Sequence, residues 1–294
     1  MKEIVVISGK GGTGKTSITA AFAMLAGKNA VIADCDVDAA DMHLLLQPDF
    51  ARSEDFYSGF KAEIDQELCT KCGKCKQVCR FDAVQKIDDS YNIINLDCEG
   101  CGYCAEICPV KAIQMVEQNV GKWYISIIKS EAQMVHARLG IGADNSGKLV
   151  AKVKKEAKNI ANETGKDFIL VDGSPGIGCP VVSSLSGADY VILVTEPTLS
   201  GFHDMKRVYE LVQNFHIPAG CIINKYDVNE EISEKIKSFC GENSIDHISD
   251  IPYDETFTRA MTQGKTIIEF DDGNLKKILV YSWKKILLLT DSHR

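Results

Sequence analysis

The chain has 294 residues, 45% of them hydrophobic, enough for one large α/β core or for a core with a small second unit. Lys and Arg number 33 against 41 Asp and Glu, a formal charge of −8, and that acidic balance gives no reason to expect generic binding of nucleic acid or of an anionic membrane surface. No apolar run reaches the ~18 residues of a membrane span and no signal-peptide pattern opens the chain, so a cytoplasmic protein is expected, in which the clustering of eight of the 12 cysteines points to metal rather than to disulfides.

In chain order, EIVVIS (3–8) reads as a buried strand, followed by a glycine-rich turn and by SITAAFAMLAG (17–27), whose apolar spacing and closing Gly27 fit a helix. NAVIADCD (29–36) is a second strand, and DFILVDGSPG (167–176), ADYVILVTEP (188–197) and GCIINKYD (220–227) are three more. Helical stretches at 149–163 and 203–215 lie between them. Alternating β and α with short β-branched strands predicts a doubly wound, mainly parallel α/β sheet covered on both faces. Residues 62–116 break the rhythm with an internal repeat at a constant offset of 29, CTKCGKCKQVCRFDAV (69–84) against CEGCGYCAEICPVKAI (98–113). The chain therefore divides into a first part of the α/β core (1–61), an inserted cysteine unit (62–116) and the second part of the core (117–294), the insertion lying in a surface connection where it costs little loop entropy.

GKGGTGKT, Gly9 to Thr16, satisfies G-x-x-x-x-G-K-T between a strand and a helix, the setting a phosphate loop requires. Glycines let backbone N–H groups curl around phosphate oxygens, Lys15 neutralises the β and γ phosphates, and the Thr16 hydroxyl ligates Mg. GADNSGKL (142–149) has the same glycine and lysine spacing, but Leu149 cannot ligate Mg and no strand precedes it, so it reads as a loop with a helix start.

With a second lysine, Lys10, inside the loop, KGGTGKT resembles the deviant phosphate loop of the MinD, ParA and Mrp family, to which the nitrogenase iron protein also belongs. The resemblance implies a P-loop ATPase in which Lys10 reaches a partner's nucleotide across an ATP-dependent homodimer. It implies a cradle of Gly9, Lys10, Gly11, Gly12, Thr13, Gly14, Lys15, Thr16 and Ser17, with Lys10, Lys15 and Asp36 catalytic. Asp36, in VIADCDVDAAD, stands where the family keeps the carboxylate that orients the attacking water, though a structural Asp at a strand end is an alternative. Asp34 is less certain. Asp172, ending FILVD, is placed to hold Mg-bound water, with Gly176 as the switch glycine. Glu196 faces the nucleotide or dimer surface, or is a solvated strand-end carboxylate. NKYD (224–227) matches the guanine-reading pattern of GTPases, whereas this family reads adenine with an Asn at this strand end; ATP is favoured, with Asn224 on the base.

Cys69, Cys72, Cys75 and Cys79 have C-x2-C-x2-C-x3-C spacing, which Cys98, Cys101, Cys104 and Cys108 repeat, the second time followed by Pro109. Zinc also uses C-x2-C pairs, but a four-cysteine zinc site leaves no use for the extra thiols. The pair resembles the bacterial ferredoxin with two 4Fe-4S clusters, which implies a small α+β domain with Cys69, Cys72, Cys75 and Cys108 on one cluster and Cys98, Cys101, Cys104 and Cys79 on the other. Cys79-Arg80 departs from the ferredoxin pattern, which has Pro there. Lys71, Lys74, Lys76 and Arg80 within the first repeat are either a docking face for an acidic redox partner or a solvated face.

Cys179 lies seven residues after Asp172, the offset of an intersubunit cluster ligand in the nitrogenase iron protein, but no cysteine falls between 108 and 179 to supply the other ligand, and a small buried residue is the better reading. LKKILVYSWKKILLL (275–289) is an amphipathic helix with a basic face, packed on the sheet in preference to a membrane. The combined expectation is an ATP- and Mg-dependent, dimeric iron-sulfur protein that gates electrons to an unidentified redox client, with an iron-sulfur cluster carrier as the alternative.

Overall fold

The computed structural model describes residues 1–140 and 146–292. The chain divides into two compact units, Met1–Glu54 with Lys122–Arg294, and Asp55–Gly121. The strands are β1 (Lys2–Ile7), β2 (Ala30–Asp34), β3 (Arg52–Ile64), β4 (Val84–Ile87), β5 (Ser90–Ile93), β6 (Ile113–Ile127), β7 (Gln133–Leu139), β8 (Phe168–Asp172), β9 (Tyr190–Thr195), β10 (Ala219–Asn224) and β11 (Asp246–Ile251).

The first unit is built on the order β11-β10-β9-β1-β8-β2-β7, which β6 and β3 extend. Every pairing from β11 to β7 is parallel. Parallel strands joined by crossover helices are buried on both faces, and β1, β2, β8, β9 and β10 accordingly show near-continuous buried runs rather than alternation. Along β1 the side chains alternate: Ile4 and Val6 join a core with Phe22 of the helix Lys15–Ala26 and Trp283 of the helix Asn274–Ser292, while Val5 and Ile7 are equally buried on the opposite side. Phe22 stacks on Trp283 at 5.5 Å between ring centroids. Leu275, Leu279 and Ile286 of the same C-terminal helix are buried in this core, so its apolar face is covered by the sheet, and Lys276, Lys277 and Lys284 line a groove on its outer side.

Helices Ser146–Glu163 and Leu199–Asn214 each start three or four residues before the predicted stretches, within ordinary variation at helix ends. Of the decoy GADNSGKL, residues 142–145 lie outside the described residues, and Ser146 to Leu149 open the first of these helices. The C-terminal ends of β1, β2, β8, β9 and β10 lie on one edge, where ligands sit in open parallel sheets. Register sets Asp34 of β2 beside Asp172 of β8.

The second unit is wider at both ends than the predicted 62–116, because residues 55–61 and 117–121 keep a strand pattern that resembles the rest of the sheet in sequence but cluster with the cysteine repeat in space. β4 and β5 form an antiparallel hairpin, and two short helices, Lys74–Val78 and Tyr103–Glu106, lie 29 residues apart. The offset extends to backbone dihedrals. Gly73 (φ 74, ψ 1) and Gly102 (φ 76, ψ −6) open these helices in the left-handed region. Lys71 and Gly100 also share positive φ, 56 and 64, as do Asp82 and Lys111, 52 and 53.

Candidate functional site

The loop after β1 turns into the helix Lys15–Ala26 through Gly14, whose φ of 89 is unfavourable for a side chain. A Cβ there would also lie 2.4 Å from Asn224 Nδ2. Above the loop is a cavity of about 390 Å3, walled on one side by Gly11, Gly12, Thr13, Gly14, Lys15, Thr16 and Ser17 and on the other by Asp36, Leu44, Leu45 and Met261. Backbone amides at a helix start and a lysine facing an apolar wall suit a phosphorylated ligand with a planar end group.

At the floor of the site, Lys15 Nζ lies 2.8 Å from Asp172 Oδ1 and 3.4 Å from Asp36 Oδ2. Thr16 Oγ1 donates to Asp172 Oδ2 at 2.8 Å, and Thr19 Oγ1, one helical turn after Lys15, lies 2.9 Å from Asp172 Oδ1. Burial alone would depress the Lys15 ammonium, but Asp172 first, then Asp36 and Asp34, raise it above its ordinary value. Burial raises the Asp36 carboxyl, with Lys15 opposing. Asp34 is raised well above the carboxylate range, by burial and then by Asp172, and its buried Oδ2 has no hydrogen-bond partner among the described residues.

Three carboxyls therefore surround one ammonium, and one carboxyl oxygen is orphaned. That surplus of hard oxygen donors beside the Thr16 hydroxyl fits a divalent cation of the Mg type. Among the described residues no three acidic or metal-ligating side chains converge tightly enough to cage an ion by themselves. Mg needs no such cage, because it takes one or two protein ligands and completes its shell with water and phosphate.

Lys10 and Gly9 are not on the cavity wall. Lys10 Nζ pairs with Glu196 Oε1 at 2.7 Å and donates to Thr198 Oγ1 and Ser200 Oγ at 3.2 and 3.0 Å. Glu196 Oε2 meanwhile pairs with Lys225 Nζ at 3.0 Å, and Lys225 also donates to the Gly12 carbonyl at 3.2 Å. Burial would raise the Glu196 carboxyl, but hydrogen bonds from Lys10 and Lys225 hold it below its ordinary range. Glu196 is thus neither solvated nor on the nucleotide cavity: it clamps two lysines beside the loop. Asn224 is buried, and its Nδ2 donates to the Thr13 carbonyl at 2.7 Å, so its amide is engaged by the loop rather than lining the cavity.

In the second unit the eight clustered cysteines separate into two small cavities. One, of about 20 Å3, is lined by Cys69, Cys72, Cys75 and Cys108; the other, also about 20 Å3, by Cys98, Cys101, Cys104 and Cys79. Each takes three thiols from one repeat and the fourth from the other. All eight are free thiols, and the walls are otherwise almost entirely apolar. Burial raises the Cys75 thiol, with Cys69 and Cys72 adding, and burial raises Cys104 in the same way, with Cys98 and Cys101 adding. Among the described residues no three of these sulfurs meet closely enough for a single metal ion. Four soft donors lining each cavity, three from one repeat and one from the other, match the donor set an iron-sulfur group takes.

Residues 4–267 match the family described as the CobQ/CobB/MinD/ParA nucleotide binding domain. The chain belongs to this family. It is a P-loop nucleotide-binding domain of the MinD/ParA type. An uncharacterized protein of Methanocaldococcus jannaschii is 36% identical over 252 residues, 85% of this chain and 86% of that protein. A second one from the same organism is 27% identical over 278 residues, 92% and 93% of the two chains. The fold is similar to that of the septum site-determining protein MinD of Pyrococcus horikoshii, solved with Mg-ADP, at TM-score 0.60 and 18% identity over 100% of this chain and 98% of that one. It is also similar to McdA of Cyanothece in its ATP complex, at TM-score 0.57 and 16% identity over 97% and 96%. Among the described residues no helix is long and apolar enough to cross a membrane.

In this MinD/ParA-type domain, sequence reasoning missed three contributors. Thr19 had a readable signal, its i+4 spacing from Lys15. Lys225 lies inside NKYD, which in sequence reads as a base-recognition pattern and not as a clamp on the loop. Met261 had none, since it reaches the cavity from a helix, Thr256–Thr262, far along the chain. Cys179, expected to be a small buried residue, is exposed at the start of the helix Cys179–Leu185, where the turn after Gly178 brings it to the surface. Cys35, Cys221 and Cys240 are buried.

Proposed function

We propose that this protein binds and hydrolyses ATP with Mg, closes as a nucleotide-dependent homodimer, and couples closure to electron transfer through two 4Fe-4S clusters in an inserted ferredoxin-like domain. The observation that carries the iron-sulfur part is the partition of eight thiols into two four-thiol cavities, each completed by a cysteine from the other repeat. Spacing alone makes that cross-wiring a resemblance, and the lining of the two cavities supports it.

The chain's own residues divide the work. Gly11 to Gly14 present backbone N–H groups to phosphate oxygens, Lys15 neutralises charge on the terminal phosphates, and Thr16 with Asp172 holds the cation. Asp36, on the cavity wall beside Lys15, is positioned to orient an attacking water. Lys10 supplies a second positive charge once it leaves Glu196. In the cysteine unit, thiolates from both repeats hold the clusters, which supply one-electron chemistry when bound. With clusters held there, a low-potential one-electron donor would supply the electrons and an acceptor protein would take them.

Anaerobically prepared protein should contain about eight irons and eight acid-labile sulfides per chain. MgATP should double its mass by light scattering, and Lys10→Ala should remain monomeric. Absence of iron would remove the electron-transfer reading. Intact clusters that pass readily to an apo-ferredoxin would favour the carrier instead.

A further inference from the structure

The two cysteine frames share one backbone. The positive-φ positions coincide at offset 29, the helices Lys74–Val78 and Tyr103–Glu106 start from glycines of the same conformation, and Ala83 and Ala112 are buried alike. Cys72 and Cys101 are equally exposed.

Charge is where they differ. Among the residues lining each cavity a single one is charged: Lys74 beside the Cys69, Cys72, Cys75 and Cys108 set, and Glu99 beside the Cys98, Cys101, Cys104 and Cys79 set. The exposed neighbours repeat the contrast. Among exposed sequence neighbours, Lys76 and Lys111 accompany the first set and outnumber Glu67, whereas Glu106 and Asp97 accompany the second. Lys71 adds to the first but is partly offset by Asp89 at 3.2 Å. Arg80, next to Cys79, opposes the trend but is exposed and off the wall. The Ala112 amide also donates to Cys108 Sγ at 3.3 Å, which removes charge from a thiolate of the first set.

Reducing a cluster adds one negative charge, so a nearby cation favours the reduced form and raises the potential, while a carboxylate does the opposite. With scaffold and exposure matched, the nearby charges and the Ala112 hydrogen bond to Cys108 both favour reduction at the first set. We infer that the two centres are poised at different potentials, the Cys69/Cys72/Cys75/Cys108 centre the higher. An electron delivered by a low-potential donor to the Cys98 centre therefore passes on to the Cys69 centre and leaves there. The inference rests on the iron-sulfur reading above.

Iron and sulfide content is measured first, followed by potentiometric titration of the whole protein monitored by low-temperature electron paramagnetic resonance. Two reduction waves are expected, the upper assigned by its loss in Cys69→Ser. Lys74→Gln should lower the upper wave alone, and Glu99→Gln should raise the lower wave alone. Coincident waves in a fully iron-loaded protein, or a Lys74→Gln shift confined to the lower wave, would overturn the ordering while leaving the iron-sulfur reading intact. A chain without iron would overturn both.

Discussion

The nucleotide-binding unit buries whole Ile, Val, Leu and Phe side chains on both faces of its sheet, whereas the unit at 55–121 buries Ala62, Ala83, Val84, Ala112, Ile113 and Val120 and leaves Phe60, Phe81, Leu96 and Tyr103 exposed. A unit of this size, below about 70 residues, seldom stands on such a core and usually needs disulfides or metal. Its cysteines are free. The first unit therefore carries its stability in its sheet and can leave a functional site electrostatically tense, while the second, on the iron-sulfur reading proposed above, draws stability from what its thiols bind.

The largest effect tests that difference directly. Removing iron anaerobically with a chelator should abolish amide-hydrogen protection across 55–121 while protection in 1–54 and 122–294 persists, because ligand binding in a small metal-held unit supplies folding energy of about 10 kcal/mol. Persistent protection in the cysteine unit after iron removal would break the comparison.

Next is Lys15→Ala. It leaves Asp172 and Asp36 facing each other without their counter-charge. Stability should fall by about 3 kcal/mol, read from thermal melts, and nucleotide binding should be lost. The cysteine unit's iron content should not change.

His136 offers a pH test confined to the first unit. Burial, then the neighbouring His43, lowers its pKa to about 4 from an ordinary 6.5, and its Nε2 is 2.9 Å from Ser126 Oγ. The unfolded chain binds this proton at 6.5 and the native one only near 4, so stability is full above 6.5 and is lost as pH falls between them. Asp34 and Asp36, whose carboxyls are raised, work in the opposite sense and favour the native state on acidification. The difference in pH slope between wild type and His136→Gln should isolate the histidine contribution, on the order of 2 kcal/mol between pH 7 and 4.

The smallest effect concerns the clamp. Glu196→Gln removes the charge that holds Lys10 and Lys225, a partly exposed network worth about 1 kcal/mol. ATP-dependent dimerisation should tighten by about fivefold, measured by sedimentation. Weaker dimerisation would mean that Glu196 organises Lys10 for the partner rather than holding it back.

The parallel sheet, the phosphate loop and the two cysteine motifs were legible because each depends on residues close together in sequence: a strand of β-branched residues, glycines with a lysine at fixed spacing, thiols two and three apart. Less legible was whatever depends on distant segments meeting. Glu196 and Lys10 are 186 positions apart, and Lys225 and Gly12 are 213 apart. Asn224 follows the adenine-reading pattern in sequence, yet the fold places its amide beneath the loop because Gly14 leaves room there. The limits of the cysteine unit were drawn too narrowly for a related reason. Strand alternation at 55–61 and 117–121 looks the same in sequence whichever unit it serves.

Coupling between the two units is the central claim, and it is tested most directly by titrating cluster potentials and timing cluster reoxidation by an acceptor, anaerobically, with and without MgATP. MgATP should shift at least one cluster potential or accelerate reoxidation, and Lys15→Ala should abolish the effect. Potentials and rates that stay the same while ATP is hydrolysed would contradict the account.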